Sequence, residues 1–174
     1  SHDISAKRTE NNFSPTANLQ WRVNDDTMLY ASIARGFKGG GYDFQNDGVQ
    51  AAAAAKFEFE DEDVTSYEVG AKMTLLDGAA QFNINWFRSE FDNLQVSTID
   101  GTSATFNVGN AASSVTTGIE ADMKWQVTDS LFLNGAIAYL DAEFDSYPDA
   151  PCHAELILSG NCPGVGFTTD LSGR

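Results

Sequence analysis

Phe13-Ser14-Pro15-Thr16-Ala17-Asn18-Leu19-Gln20-Trp21-Arg22-Val23-Asn24 sorts its residues by parity. The odd positions Phe13, Pro15, Ala17, Leu19, Trp21 and Val23 are apolar, and every even position is polar. A helix, at 3.6 residues per turn, would mix the two sets on each face. An extended strand sends them to opposite faces. The stretch therefore predicts a β-strand with one apolar and one polar side. Asn24-Asp25-Asp26 then reads as a tight turn, because Asn and Asp side chains bond to nearby backbone. A second strand is expected over Met28 to Phe37.

The pattern returns twice. Tyr67, Val69, Ala71, Met73 and Leu75 alternate with Ser66, Glu68, Gly70, Lys72 and Thr74. Val115, Thr117, Ile119, Ala121, Met123, Trp125 and Val127 alternate with Thr116, Gly118, Glu120, Asp122, Lys124, Gln126 and Thr128. Asp77-Gly78 and Thr128-Asp129-Ser130 supply the turns, with Asp-Gly a favoured two-residue hairpin turn. Strands are expected after them over Ala80 to Asn93 and Leu131 to Tyr139. The turn residues Asp25, Asp77 and Asp129 recur every 52 positions. Each period reads strand, short turn, strand, long loop. The expected long loops are Gly39 to Val64, about Asp100 to Ser114, and Asp141 onward. The fold class is all-β: an antiparallel meander of about six strands.

Composition narrows the function. The formal charge is −15, with 25 Asp and Glu against 10 Lys and Arg. Nucleic acid is therefore not expected as a partner, since a phosphate backbone is bound by clustered cations. The longest apolar run, Ala51 to Ala55, is far short of the ~20 residues a membrane-crossing helix needs. Strands escape such a scan, because only alternate residues face lipid. The two histidines, His2 and His153, join no catalytic motif, and neither a G-x-S-x-G elbow nor an H-E-x-x-H helix occurs. Nothing points to an enzyme, and no cofactor or metal is implied. Gly39-Gly40-Gly41 lacks the Lys-Ser/Thr of a phosphate loop and reads as a loop root. The acidic runs Glu58, Glu60, Asp61, Glu62, Asp63 and Asp141, Glu143, Asp145, Asp149 read as solvated loop flanks ahead of cation sites, because they lack EF-hand spacing. The loop aromatics Tyr42, Phe44, Phe57, Phe59 and Tyr147 could stack on a ligand or on one another. Cys152 and Cys162 are candidates for a local disulfide in an oxidising compartment.

A soluble β-sandwich also alternates. Three features favour a membrane barrel instead. The strands run to about ten residues, the connections alternate short and long, and consecutive strands join as simple hairpins. The lipid-facing candidates are Leu19, Trp21, Val69, Met73, Phe82, Ile84, Trp86, Ile119, Met123 and Trp125. Trp21 and Trp125 both stand just before a short turn, where an aromatic girdle would lie at the periplasmic interface. Arg35 and Arg88 interrupt this face towards its long-loop end, where the cost of a charge falls to ~0–1 kcal/mol. A bulge that shifts the phase would also explain them. On the polar face Arg22, Glu68, Lys72, Glu120, Asp122 and Lys124 could pair across strands in a hydrated lumen.

Several motifs, in order, resemble those of TonB-dependent outer-membrane receptors. Met28 to Tyr42, MLYASIARGFKGGGY, is similar to that family's LYASYSRGFKSGGFN strand. Phe13-Ser14-Pro15 resembles its FSPK strand. Thr65 to Lys72 resembles xxNYELGLK, Asn107 to Ala121 resembles VNAGKAxxxGxE, and Leu140 to Phe144 resembles LDAEY. The resemblance implies a barrel of about 22 strands in the bacterial outer membrane, filled by a plug domain and energised through TonB. It implies uptake of scarce small molecules such as iron–siderophore complexes, haem, cobalamin or glycans. Its partners would be outer-membrane lipid, the substrate, and TonB reached through the plug. Residues 1–174 are then expected to be part of that barrel, with the plug and the remaining strands outside this sequence. Two other readings stay open from the residues: a soluble secreted β-sheet binding module, adhesin-like, and a passive porin-type barrel.

Overall fold

The computed structural model describes residues 7–43, 58–99, 106–152, 154–162 and 168–174. Six long strands form one antiparallel sheet: β1 (Thr16–Asn24), β2 (Thr27–Lys38), β5 (Glu62–Leu75), β6 (Ala80–Ile99), β7 (Phe106–Thr128) and β8 (Leu131–Ser146). They pair in chain order, as a meander. Two small two-stranded sheets accompany them. One pairs β3 (Gly41–Tyr42) with β4 (Glu58–Phe59), and the other pairs β9 (Ala150–Pro151) with β10 (Thr168–Thr169). A short helix, α1 (Ala154–Leu158), lies beyond β8.

The short turns close at one end. Asn24 pairs with Thr27, and the Asp26 N–H donates to the Asn24 side chain at 2.9 Å. Thr128 pairs with Leu131, and the Ser130 N–H donates to the Thr128 hydroxyl at 3.4 Å. The β5–β6 turn differs from expectation. It is centred on Leu76-Asp77, both at positive φ (55° and 54°), one residue before Asp77-Gly78. The Gly78 N–H closes it onto the Leu75 carbonyl at 3.2 Å, as in a type I′ turn. Gly78 itself follows at φ 92°, where a Cβ would be strained.

At the other end the strands are longer than the alternation predicts. β6 runs to Ile99 and β7 begins at Phe106, so most of the loop expected over Asp100 to Ser114 is strand. β8 continues to Ser146, and β5 starts at Glu62. Register shifts between Phe91 and Leu94, and between Ser113 and Ser114, mark where this extension leaves the regular sheet. Asn93 takes φ 60° there. Bulges of this kind gather at barrel rims.

The register also fixes a slope. Thr27, Met73, Phe82, Met123 and Gly135 lie along one row of partners. Measured from that row, β2 ends at once, β5 goes on two residues to Leu75, and β7 goes on five to Thr128. The turns thus step away by roughly one residue per strand. At about 3.3 Å per residue and 4.8 Å between strands, the line through the turns is oblique to the rows by about 35°. A tilt of about 35–45° with a steady stagger is what closes a sheet into a barrel.

Among the described residues no large side chain is fully buried. A buried apolar cluster, Ala112, Tyr147 and Ala150, sits at the outer end. A second packed layer, which a soluble sandwich requires, does not cover either face of the described sheet.

Candidate functional site

The register brings all ten lipid-facing candidates onto one face. Leu19, Val69, Trp86 and Ile119 share a row with Ala31 and Tyr139. Trp21 and Ile84 lie in the next row, beside Leu29, Ala71, Ala121 and Ile137. Met73, Phe82 and Met123 form a third, and Trp125 stands opposite Ala80 and Leu133. No charged residue falls in these rows. Leu19 is 72% exposed and, in the sheet interior, Val69 remains 48% exposed. Val69 is flanked by strands on both sides, so its exposure reports an uncovered face. From Leu131 to Tyr139 the band spans about 26 Å along the strand, or about 22 Å after tilt, close to the ~25 Å apolar band of outer-membrane barrels.

Arg35 and Arg88 lie on this same face. No register shift separates Arg35 from Ile33, or Arg88 from Trp86, so a phase change is not the explanation. Arg35 meets Asp63 at 3.2 Å and Arg88 meets Glu90 at 2.7 Å.

The opposite face carries the polar set. The Tyr30 hydroxyl bonds to the Glu68 carboxylate, and the Lys72 ammonium sits 5.6 Å from the centre of the Tyr30 ring. Asn83 donates to Asp122 at 3.0 Å, Asn85 donates to Glu120 at 3.5 Å, and Ser66 and Ser89 share a 2.9 Å hydrogen bond. The expected cross-strand ion pairs do not form on this face among the described residues. The register explains this: Lys72 falls opposite Met28 and Asn83, and Lys124 opposite Gln81 and Asn134. Two amides and a phenol bond the acids instead. Two glycines shape the wall. A Cβ on Gly70 would stand 2.6 Å from the Tyr30 ring, and one on Gly118 would stand 2.6 Å from Phe87 and 2.8 Å from the Tyr139 carbonyl oxygen. The rings therefore lie against backbone. A shallow open depression of about 340 Å³ lies at the Phe87 ring, lined also by Ser32, Glu68, Asn85, Ser89 and Glu120. These aromatic–glycine pairs and the Tyr30–Glu68 contact are not visible in the sequence, since they need the registers of β2 on β5 and of β6 on β7.

The outer end is held by its own contacts. Arg8 pairs with Glu10, with Glu58 at 2.8 Å and with Asp61 at 3.6 Å. The hydrogen bond to Glu10 leads in raising the Arg8 pKa above its ordinary value, with Glu58 adding to it. The Gly40 N–H donates to Glu10 at 2.8 Å, so a carboxylate of this chain occupies the glycine-rich loop root. Glu62 accepts from the Gln95 N–H at 2.8 Å. The acidic run expected as a loop flank is thus partly strand and largely engaged within the protein. Asp43, buried, accepts from the Val108 N–H at 2.9 Å. Tyr147 packs on Phe144 at 5.0 Å between ring centres, and its burial pushes the phenol pKa up. Cys152 and Cys162 are joined in a disulfide. Phe59 packs at Gly41, while Phe44, Phe57, His2 and His153 lie outside the described residues. Among the described residues no group of three or more His, Cys, Asp or Glu is placed to hold a metal.

A staggered antiparallel meander with one charge-free exposed band and one hydrogen-bonded polar face defines a class: the wall of a transmembrane β-barrel. Comparison with known proteins agrees. Residues 1–161 match the family described as TonB dependent receptor-like, beta-barrel. The chain is 28% identical over 141 residues to the metal-pseudopaline receptor CntO of Pseudomonas aeruginosa, covering 81% of this chain and 18% of that protein. In fold it is similar to the ferric yersiniabactin uptake receptor FyuA of Yersinia pestis (TM-score 0.60, 19% identity, 74% of this chain and 18% of that one). The siderophore receptor PirA of Pseudomonas aeruginosa gives TM-score 0.60 at 18% identity, with 75% and 25% covered. The chain belongs to the TonB-dependent receptor β-barrel family. It spans under a fifth of the length of the curated relative it matches. Its place is the bacterial outer membrane.

Proposed function

We propose that this chain is part of the barrel wall of a receptor that imports scarce metal–chelator complexes, with the energy supplied through TonB. The single observation that carries the membrane part of this reading is the band from Trp21 to Tyr139, free of charge and uncovered in the middle of a sheet. Its ten candidate residues, Leu19 to Trp125, face lipid hydrocarbon. In that setting the polar face lines a lumen. The Glu68 and Glu120 carboxylates around the open depression suit cationic side chains of an element seated there, such as a plug domain encoded outside these residues. The barrel domain and the plug are then separate units, with residues 1–174 a part of the first. The wall binds and positions and performs no bond chemistry, so the protein is a transporter and not an enzyme. The family match favours this reading over a secreted adhesin-like module and over a passive porin. The substrate class follows from the relatives, one of which is a metal-pseudopaline receptor.

The experiment uses cells with and without the full-length gene, in backgrounds with and without TonB. Uptake of radiolabelled iron, nickel and zinc is followed, each metal alone and bound to a chelator. The reading expects chelate uptake that needs both the gene and TonB. Uptake that needs the gene but survives loss of TonB would replace the receptor with a passive pore.

A further inference from the structure

The β3–β4 pair is fastened on its two flanks by different chemistry. Towards the chain before β1 the fastener is Arg8. Its guanidinium meets the carboxylates of Glu10, of Glu58 at 2.8 Å and of Asp61 at 3.6 Å, and donates to the Phe59 carbonyl at 3.2 Å. Among the described residues no other Lys or Arg pairs with these three acids. Gly39 and Gly40 make room for the contact: a Cβ on Gly39 would stand 2.7 Å from Glu10 Oε2, and one on Gly40 would stand 2.7 Å from Arg8 Cζ. Towards the β6–β7 hairpin, side-chain amides take over where the β5–β6 ladder ends at Asp63 and Asp92. Asn110 accepts from the Glu60 N–H at 2.6 Å and donates to the Glu60 carbonyl at 2.9 Å, as a neighbouring strand would. Gln95 donates to the Gly39 and Glu60 carbonyls at 3.0 Å each, and Asn93 donates to the Asp61 carbonyl at 2.7 Å.

We infer that Arg8 is a releasable ionic strap. When it lets go, the outer end opens along one seam, between residues 7–10 and the β3–β4 pair, while that pair stays on the β6–β7 hairpin. The barrel reading above enters only in placing this seam at the cell surface. Charge supports the asymmetry. One guanidinium bridges Glu10 on one side of the seam and Glu58 and Asp61 on the other. Without it, like charges from the two segments face each other. The strap is also within reach of bulk ions: the Arg8 side chain is 20% exposed, that of Glu58 50% and that of Asp61 40%. Salt therefore screens these pairs, whereas the amide-to-backbone bonds of the other flank join neutral groups and offer no net charge to screen. Glu10 gives the seam a backbone reporter. It accepts from the Gly40 N–H at 2.8 Å, so parting of the two segments uncovers that amide.

The test is hydrogen exchange, read by mass spectrometry and corrected for intrinsic rates, on the full-length protein in phospholipid nanodiscs. Raising sodium chloride from about 0.1 M to about 1 M shortens the Debye length from ~10 Å to ~3 Å. Exchange over residues 7–12 and 39–41 should quicken with that change. At low salt Arg8→Gln should quicken it about tenfold, the loss expected with a charge-assisted hydrogen bond, and the variant should no longer respond to salt. Residues 93–96 and 107–110 should keep their protection throughout. Asn110→Ala is the counterpart on the other flank: the loosening it adds over residues 58–62 should be the same at both salt concentrations. Residues 7–12 unmoved by salt and by Arg8→Gln would overturn the strap. Equal quickening of residues 7–12 and 107–110 would overturn the seam, because the outer end would then open as one body. Fast exchange over residues 117–123 would instead overturn the barrel reading, in a stretch that the strap does not touch.

Discussion

The lower sheet and the outer cap of this chain are stabilised in opposite ways. In the six-stranded sheet the ladders run unbroken except for register shifts beside two of the short turns and at the outer end, and among its described residues no large side chain is buried. Its apolar residues point outward, so protein packing is not what covers them. In the cap, Ala112, Tyr147 and Ala150 are buried under Leu94, Val96, Phe144 and Leu171, and a disulfide staples the segment that follows. That is how a small domain in water is built. The difference is what the proposed membrane setting requires: two solvents acting on one polypeptide. The sheet needs satisfied backbone and a charge-free face, as hydrocarbon demands. The cap needs a core.

The strongest way to break this contrast is to place a charge on the outward face. Ile84→Arg should cost ~2–4 kcal/mol, as expected near a bilayer midplane, whereas Glu90→Arg, on the same strand and face but beyond Arg88 towards the outer end, should cost ~0–1 kcal/mol. Urea unfolding of the full-length protein in lipid vesicles measures both. Equal costs would mean that the two residues share one environment.

Removing the staple tests the cap from the other side. Cys152→Ser with Cys162→Ser opens a loop with a sequence separation of 10. Chain entropy puts the local loss at about 2.5–3 kcal/mol. The segment between Tyr147 and Thr168 should become readily cleaved by protease, while the unfolding midpoint of the barrel stays put. A fall in that midpoint would show that cap and sheet form one cooperative unit.

How much of this was legible depends on which solvent wrote the pattern. Where lipid and lumen act on alternate residues, parity survives, so β1, the lower halves of β5 and β7, and the turns at Asp25 and Asp129 are readable residue by residue. Beyond Phe91 parity fails. Leu94 to Ile99 extends β6 because the β6–β7 hairpin is buttressed by groups distant in sequence, such as the Asp43 carboxylate on the Val108 N–H. The polar face was legible as polar but not as a network. Glu68 and Lys72 were expected to meet opposite charges on neighbouring strands, yet β5 pairs with β2, whose Tyr30 takes both. The turn lies one residue before Asp77-Gly78, because Leu76 and Asp77 themselves adopt positive φ, which residue type alone does not signal, and Gly78 follows them.

Glycines sharpen the same comparison at lower cost. In the sheet, Gly118→Ala would put a methyl 2.8 Å from the Tyr139 carbonyl oxygen, which is held in the β7–β8 ladder and cannot move aside. Overpacking of this kind costs about 1–3 kcal/mol. Adding Phe87→Leu should recover only part of it, because the carbonyl clash remains. In the outer hairpin, a Cβ on Gly109 meets nothing within 4 Å, and Gly109→Ala should be neutral within about 0.5 kcal/mol. Reversed ranking in the same urea experiment would contradict the close packing of Phe87 on the sheet wall.

The smallest effect expected is a response of the cap to acid. Asp170 accepts from the Ser172 N–H at 2.8 Å, and the Ser172 hydroxyl in turn accepts from the Tyr147 N–H at 2.8 Å. That turn lays the last residues along β8, where the Phe144 N–H donates to the Arg174 carbonyl at 2.9 Å. The hydrogen bonds from Ser172, with a smaller contribution from the Arg174 charge, hold the Asp170 pKa below its ordinary 3.8. A lowered carboxylate pKa stabilises the folded form above the ordinary value, and that contribution is lost as pH falls through the lowered one. Hydrogen exchange over residues 168–174, corrected for intrinsic rates, should therefore show full protection at pH 5 and a slight loss in stronger acid. Asp170→Asn separates the cause. Its amide oxygen still accepts from the Ser172 N–H but carries no titrating charge, so the acid response should vanish while protection at pH 5 is largely kept. If the variant still loosened in acid to the same degree, the response would belong to another group in the cap, and the turn would owe its order to the backbone bonds on β8 alone.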